Sequence, residues 1–238
     1  QSAQALVEGI RARHGRLDGV FHAAGVLRDE ALKKKTATQL QEVFAPKVHG
    51  LVNLDRVLGE APLDFLVLFS SISGVLGNPG QADYGAANAF LDGFAEEREA
   101  RRRRGACHGR ALSVAWPLWR DGGMGMDAAT EALMRRTTGL VPLETGAGID
   151  VLAALLAGEI APGAARVLVT AGERERIRDL VARTAARPQA KAESAPKSAA
   201  AVDTGDLRLR VLRAVTEEAG AILKVAHDDL DADVELTE

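Results

Sequence analysis

The chain has 238 residues, a hydrophobic content of 47% and a formal net charge of -3. These values predict a soluble, globular protein with room for one full core, and they give it no general attraction to nucleic acid. The longest apolar run, VLAALLAG, is far shorter than the roughly 18 to 20 residues that cross a bilayer, and the N-terminus has no signal-peptide pattern. One cysteine excludes an internal disulfide, and the histidines occur singly, without metal-ligand spacing. We therefore expect a cytoplasmic protein that uses neither a membrane nor a metal.

Helical patterns alternate with short apolar runs over residues 1–184. The predicted elements, in chain order, are a helix around Ala3 to Ile10, a strand in LDGVFHAAG, a helix from Thr36 to about Leu58, a strand in DFLVLFSS, a helix over 82–104, a strand in ALSVAWP, a helix over 142–157, a strand in ARVLVTA and a helix from Glu173 to about Thr184. Thr36 is the predicted N-cap of its helix. Because each parallel crossover needs a helix to return the chain, this alternation predicts a doubly wound α/β fold with a parallel sheet.

The sequence changes character after residue 184. Residues 185–205 are rich in Ala, Pro, Ser and Lys, with Val202 as their one large apolar residue, and this composition is typical of a flexible linker. From 206 to 238 an amphipathic helical pattern resumes, which indicates the start of a second domain. The chain opens inside a helical pattern and stops without a terminating element, so we expect a piece of a longer protein.

Three loops with polar and small residues follow predicted strands. They contain HAAG, SSISG and WPLWRDGG. Because ligands of open α/β sheets bind beyond the carboxyl ends of the strands, these loops are expected to meet at one crevice. The small residues of the next helix are expected to let a ligand approach it closely: Gly85, Ala86 and Ala87.

Four polar residues form a candidate catalytic group at that crevice. Tyr84 and Asn88 are four residues apart on one predicted helix face, Ser71 ends the preceding strand, and Lys47 lies on the helix before it. A phenol has an ordinary pKa near 10, but a nearby ammonium favours the phenolate and lowers that pKa. Ser71 is then able to hold a carbonyl oxygen while Tyr84 delivers a proton to it. This chemistry suits the reduction of a carbonyl.

Several segments resemble the ketoreductase domains of modular polyketide synthases, a branch of the short-chain dehydrogenase/reductase superfamily. They are HAAGVL, APKVHG, VLFSSISGVLGNPGQADYGAANAFLD and WPLWRDGGM, and the resemblance covers about residues 1–184. Most short-chain dehydrogenases have lysine four residues after the tyrosine and asparagine on the earlier helix. This chain has the reverse arrangement, with Asn88 after Tyr84 and Lys47 on the earlier helix. That exchange is typical of the polyketide branch.

The resemblance implies reduction of a β-ketoacyl thioester by NADP(H), with the acyl chain on the phosphopantetheine of an acyl carrier protein. It implies that Tyr84 donates the proton and that Ser71 polarises the carbonyl. It assigns Lys47 to the nicotinamide ribose and to the pKa of the tyrosine, and Asn88 to a proton-relay water. The remaining cofactor contacts that it implies are His22, Ala23, Ala24, Gly25, Pro117 and Leu118. Residues 206–238 resemble the first helix of an acyl carrier protein, whose phosphopantetheine serine is not in this chain.

The resemblance also bears on the configuration of the product. An LDD motif marks one of two ketoreductase types, and its place here reads Leu27–Asp29, so the second aspartate, Asp29, is kept and the first is replaced by arginine. Leu76 stands where the other type usually has tryptophan, and Pro79 fits the LDD type. Asp83 departs from the pattern, since asparagine is usual there. The resemblance therefore implies the B-type, D-hydroxyl product.

The cofactor pattern is the largest departure from the family. A dinucleotide fold needs a glycine-rich turn after its first strand, and none precedes LDGVFHAAG. The glycines at 74, 77 and 80 follow a middle strand and are interpreted as a wall of the active site. We therefore expect the isolated chain to bind NADPH poorly and to reduce nothing.

Other functional classes remain as alternatives at this stage. The chain is alternatively a structural or docking segment of a synthase module whose reductase is not functional. A stand-alone dehydrogenase is disfavoured by the carrier-like tail, and a serine hydrolase is excluded because no G-x-S-x-G elbow surrounds these serines. The run Arg101–Arg104 most simply forms the cationic end of a helix. Trp116 and Trp119 serve either packing or the site.

Overall fold

The computed structural model describes residues 3–186 of the chain. The helices are α1 (Ala3–His14), α2 (Ala37–Phe44), α3 (Gly50–Leu58), α4 (Ser73–Leu76), α5 (Ala82–Arg103), α6 (Ala128–Thr138), α7 (Thr145–Ala157) and α8 (Arg174–Ala185), with a 3-10 helix at Leu32–Lys34 and a π-helical turn at Ala45–His49. The strands are β1 (Gly19–His22), β2 (Phe65–Ser71), β3 (Arg110–Trp116) and β4 (Arg166–Leu168). The predicted linker at 185–205 lies outside the described residues except for Ala185, which ends α8, and Ala186, and the predicted second domain at 206–238 lies wholly outside them.

Within the described range, the strands form one parallel sheet in the order β1, β2, β3, β4. Helices cover both faces of this sheet. On one face, Leu51 of α3 and Leu91 of α5 pack on Leu66 and Leu68 of β2. On the other face, Leu155 of α7 packs on the strand layer that contains the following buried residues: Val67, Leu112 and Val114. The predicted α/β fold with a parallel, helix-covered sheet is confirmed.

The predicted helix from Thr36 to Leu58 is present but changes its winding in the middle. Thr36 caps α2 as predicted, because its side chain accepts a hydrogen bond from the Gln39 amide while the Gln39 side chain accepts from the Thr36 amide. Pro46 then removes one helical donor, and the chain adopts the π-helical turn before α3. Lys47 lies in this turn and is buried.

Strand β1 is less buried than its apolar sequence predicts. His22 is its one buried residue, and Phe21 is 48% exposed although its ring lies 5.0 Å from that of Phe65. The reason is its position, since β1 is at the edge of the described sheet and pairs there with β2 alone.

Two further features differ from the sequence-based expectation. Helix α6 was not predicted, because it has no buried residue and therefore no clear apolar stripe. Its ends nevertheless carry ordinary signals, with Asp127 accepting a hydrogen bond from the Thr130 amide and Gly139 in the left-handed conformation at the C-terminus. Strand β4 has three residues, fewer than the segment ARVLVTA indicates.

The described helices include none that is both long and apolar enough to cross a membrane. Among the same residues, no group of three or more His, Cys, Asp or Glu side chains is arranged to hold a metal ion.

Candidate active site

Tyr84 and Asn88 lie on the buried face of α5, one turn apart. Tyr84 is 6% exposed and packs with Val43 of α2, and Asn88 is fully buried. The Asn88 side-chain amide donates a hydrogen bond of 2.7 Å to the Tyr84 carbonyl oxygen. Its other atom, Oδ1, is buried without a hydrogen-bond partner in the structure. An acceptor therefore remains available beside Tyr84.

Lys47 enters the same site from the π-helical turn. Its ammonium donates a hydrogen bond of 2.9 Å to the carbonyl oxygen of Phe69 in β2, and it lies 5.4 Å from the centre of the Tyr84 ring. Gly25 makes this path possible, because a Cβ atom at that position would lie 2.9 Å from Lys47 Cε. The structure thus brings the lysine and the tyrosine together, as the reductase interpretation requires.

Ser71 ends β2 next to the Tyr84 hydroxyl. Its Oγ accepts hydrogen bonds from the amide and the hydroxyl of Ser73, at 3.2 Å and 3.0 Å. The polar side chains of Asn88 and Ser71 act to lower the pKa of the Tyr84 hydroxyl. The two bonds from Ser73 fix the position of Ser71 Oγ at the end of β2.

The pKa of Tyr84 is shifted in the opposite direction from the one expected. Burial raises the pKa of Tyr84, the hydrogen bonds from Asn88 and Ser71 lower it, and the carboxylate of Asp29 raises it further. Burial also lowers the pKa of Lys47 to about 8, against the effect of Asp92, which raises it. The lowered pKa that was expected for this phenol is therefore not found in this structure, because desolvation outweighs the other effects. The role of Lys47 beside the tyrosine stays a prediction, and the phenol is protonated at neutral pH.

A second layer of polar residues supports the lysine, and the sequence reasoning missed it. Asp92 is 2% exposed and accepts a hydrogen bond of 2.6 Å from Ser113 of β3. Ser70 donates to the Asn88 carbonyl at 3.1 Å. The signal was available, since Asp92 follows Tyr84 by eight residues and Asn88 by four, which is the spacing of one helix face.

Met124 ends the segment WPLWRDGGM, but the sequence analysis gave it no role. The Tyr84 hydroxyl donates to its sulfur at 3.9 Å, and the Met124 side chain is 49% exposed. The segment between β3 and α6 therefore reaches over the tyrosine. No sequence pattern announced this contact, because it depends on how that segment folds back.

The residues assigned to the cofactor fall into two loops at the carboxyl ends of the strands. His22 is buried at the end of β1, where its pKa is lowered by burial and by Lys47, and its Nε2 has no hydrogen-bond partner in the structure. The residues of the next three positions are exposed: Ala23, Ala24 and Gly25. Pro117 is buried after β3, and the Leu118 carbonyl accepts a 2.7 Å hydrogen bond from the Leu143 amide.

The residues tied to product configuration lie around the start of α5. The Asp29 carboxylate accepts a hydrogen bond of 2.9 Å from the Gln81 side chain, and it is close enough to Tyr84 to raise its pKa. Leu76 is half-buried at the end of α4, and Pro79 is exposed in the turn before α5. The Leu27–Asp29 segment therefore lies beside the start of α5.

The structure corrects the expectation for the small residues of α5 and decides between the two readings of the tryptophans. Gly85 does not leave space for a ligand, because a Cβ atom there would lie 3.0 Å from the Ser73 carbonyl oxygen, and Ala87 is buried in the core. Trp116 and Trp119 are packing residues, with ring centres 5.0 Å apart in the core beneath α7. The arginine run at the end of α5 is engaged in ion pairs with Asp55, Glu99 and Glu97.

The fold and the site together define a class of protein. A helix-covered parallel sheet holds a buried tyrosine, a lysine, a serine and an asparagine beyond the carboxyl ends of its strands. This arrangement is that of the Rossmann-like folds of the short-chain dehydrogenase/reductase class.

Comparisons with known proteins specify the family. The chain matches the family described as KR domain over residues 1–121. It is 40% identical to polyketide synthase PksN of Bacillus subtilis over 98% of this chain and 4% of that protein. It is 41% identical to polyketide synthase ThaG of Burkholderia thailandensis over 99% of this chain and 4% of that protein. The chain therefore belongs to the ketoreductase domains of modular polyketide synthases.

A solved structure agrees with this assignment. The crystal structure of a ketoreductase domain from the bacillaene assembly line matches with a TM-score of 0.70 and 41% sequence identity. The match covers 75% of this chain and 42% of that one. The chain thus spans less than half of the solved ketoreductase chain and a small fraction of its curated relatives.

Proposed function

We propose that this chain carries the catalytic residues of an NADPH-dependent reductase that converts a carrier-bound β-ketoacyl thioester to the β-hydroxyacyl thioester. The single observation that carries this proposal is the meeting of Tyr84, Lys47, Ser71 and Asn88 at one buried site. Lys47 Nζ lies 5.4 Å from the Tyr84 ring centre although the two residues belong to different elements. A tyrosine that serves packing alone does not require a lysine, a serine and an asparagine around it.

The proposed roles follow from what each side chain offers. When bound, the dinucleotide supplies the hydride that the carbonyl carbon receives. Ser71 holds the carbonyl oxygen, and Tyr84 transfers its hydroxyl proton to that oxygen, so that the ketone becomes an alcohol. The raised pKa of Tyr84 suits this direction, because the phenol must arrive protonated. Asn88 offers its unpartnered Oδ1 to the water that returns a proton to Tyr84.

The described residues fit one end of the cofactor. Lys47, Tyr84, the segment His22–Gly25 and the Pro117–Leu118 loop are the groups that would face the nicotinamide ribose and the adjoining half of NADPH. Residues 3–186 contain no glycine-rich turn after a first strand to hold the pyrophosphate. We propose that this element comes from another part of the longer synthase, alongside the partly exposed β1.

The acyl substrate is proposed to arrive on an acyl carrier protein of the same synthase, in the cytoplasm. The residues of 206–238 are proposed to begin such a domain. Asp29, Leu76 and Pro79 are proposed to favour the B-type outcome, which gives the D-hydroxyl product. These assignments are supported by the family membership and by the closeness of Asp29 to the start of α5.

The test compares this chain with a longer protein that adds the preceding part of the ketoreductase. NADPH oxidation is followed with a β-keto thioester as substrate, and the hydroxyl configuration is read by chiral chromatography. We expect turnover by the longer protein and none by this chain. The Tyr84→Phe variant of the longer protein should lose turnover by about 100-fold or more. A Cys107→Ala variant is the matched control. Cys107 has no part in the proposed chemistry, so this substitution should leave turnover unchanged.

The alternative is a structural or docking segment with a non-functional reductase. The observation that supports this alternative is the β1 edge, where no strand among the described residues pairs with the outer side of β1. If the longer protein binds NADPH and shows no turnover, this second function replaces the first. Turnover that survives Tyr84→Phe would overturn the assigned proton donor.

A further inference from the structure

A buried ion pair joins the catalytic helix to a loop that follows β1. Lys35 Nζ lies 2.8 Å from Asp83 Oδ2, and their side chains are only 3% and 1% exposed. Asp83 is in the first turn of α5, directly before Tyr84, whereas Lys35 follows the 3-10 helix. Charges that are so fully removed from water require good partners, because desolvation alone disfavours them.

Each member of this pair also holds a backbone group. The Lys35 ammonium donates a second hydrogen bond to the carbonyl oxygen of Arg28. The other carboxylate oxygen of Asp83 accepts a hydrogen bond of 2.9 Å from the Tyr84 amide. A continuous polar chain therefore runs from the Leu27–Glu30 loop to the backbone of the catalytic tyrosine.

Two further hydrogen bonds connect the same two segments. The Glu30 amide donates to the Gly80 carbonyl oxygen at 3.0 Å, and the Gln81 side chain donates to Asp29 at 2.9 Å. Gly80 is in the left-handed region, with φ of 80°, and has the Glu30 amide directly beside it. The loop is thus attached to the start of α5 at three places, of which the Lys35–Asp83 pair is the buried one.

We propose that Lys35 and Asp83 are positioning residues that fix the Leu27–Glu30 loop relative to the Tyr84 hydroxyl and so determine which face of the ketone is reduced. This inference rests on the proposed reductase function. The loop and Tyr84 form neighbouring walls of the site, so a change in their separation alters how the acyl chain enters. Asparagine is usual at this position in the LDD type, but in this chain a neutral amide there would leave the Lys35 ammonium buried without a counter-charge, so the charge at Asp83 is required for this role.

A second ion pair of the same loop provides a control for this proposal. Arg28 also forms an ion pair with Glu42 of α2, but the side chains of that pair are 47% and 44% exposed. Exposed pairs contribute little, since water screens them and the side chains lose entropy. Glu42→Gln is therefore the matched control for Asp83→Asn, because both changes neutralise one carboxylate that holds the same loop.

The experiment uses the longer, active ketoreductase and measures turnover, the ratio of the two hydroxyl epimers and the free energy of unfolding. We expect Asp83→Asn to lower kcat by about 10- to 100-fold and to reduce the epimer ratio, whereas Glu42→Gln changes neither. In the double variant Lys35→Met and Asp83→Asn, no buried charge is left alone, so stability should recover. Because the buried one of the three attachments between loop and helix is still missing, kcat and the epimer ratio should stay low.

The outcomes separate this inference from the proposed function. If kcat and the epimer ratio recover together with stability in the double variant, the pair is merely structural and the inference is overturned. If the unmodified longer protein shows no turnover, the proposed function fails, and hydrogen exchange then tests the pair in the 238-residue chain. Faster exchange at the Glu30 and Tyr84 amides in Asp83→Asn supports the link, and unchanged exchange at both overturns it.

Discussion

The middle of the sheet and its β1 edge are built from similar apolar sequences but have different surroundings. Six of the seven residues of β3 are buried, between β2 and β4 and beneath helices on both faces. One of the four residues of β1 is buried, and Phe21 is half-exposed. The difference comes from neighbours, because a strand needs a partner on each side and a cover on each face.

This difference divides the proposed site in the same way. Tyr84, Asn88 and Lys47 project from elements that pack on the closed part of the sheet and are buried. Ala23 to Gly25 follow the edge strand and are exposed. The groups proposed for the carbonyl chemistry are therefore buried within the described residues, whereas three of the groups proposed for the dinucleotide, Ala23 to Gly25, lie at an open margin.

The largest test of this comparison is a pair of truncations on the two strands. Leu112→Ala in β3 should lower the free energy of unfolding by about 2 to 5 kcal/mol, because it leaves a cavity in a filled core. Phe21→Ala in β1 should cost about 1 kcal/mol or less, since its ring is already partly in water. Urea unfolding of the chain measures both. Equal losses would show that the β1 face is covered in solution.

A smaller effect is expected from two glycines of α7. At Gly148 a Cβ atom would lie 2.5 Å from the Trp119 ring, so Gly148→Ala should cost about 1 to 3 kcal/mol. At Gly146 nothing lies within 4 Å, and Gly146→Ala should stabilise the helix by about 0.5 to 1 kcal/mol. Thermal unfolding of both variants tests how tightly the closed region is packed. Stabilisation by both would contradict the close packing of Trp119.

A further test is the dependence of stability on pH through Lys47. Its pKa of about 8 in the folded chain is below the ordinary 10.5, so the unfolded chain binds the proton more tightly between these values. The contribution of Lys47 to the free energy of unfolding should therefore rise from about pH 8 to about pH 10.5. Lys47→Met should remove this rise, which urea titrations at several pH values measure.

Asp92 provides the control for the pH experiment. Its carboxylate raises the pKa of Lys47, so Asp92→Asn should move the start of that rise below pH 8. The asparagine oxygen is still able to accept the hydrogen bond from Ser113, which keeps the structural change small. A rise that starts at the same pH in both proteins would mean that Asp92 does not act on Lys47.

The sequence was sufficient for most of the elements and for part of the site. Thr36 was predicted to cap its helix because capping depends on neighbouring residues, and it does so. Tyr84 and Asn88 were placed on one face by their spacing alone. Helix α6 was missed because its residues are all at least partly exposed, so no apolar stripe marked it.

Only the tertiary structure determined the directions of the pKa shifts and the contacts between residues far apart in the sequence. The direction of the Tyr84 pKa depends on burial, which the sequence does not express, and burial raises this pKa although a nearby ammonium was expected to lower it. Lys35 is one of three consecutive lysines and was indistinguishable from a solvated residue until the fold placed it 2.8 Å from Asp83. Local spacing fixes which residues share a face, because helix and strand geometry repeats along the chain. Desolvation and contacts between distant segments depend on packing in three dimensions, and only the folded chain determines them.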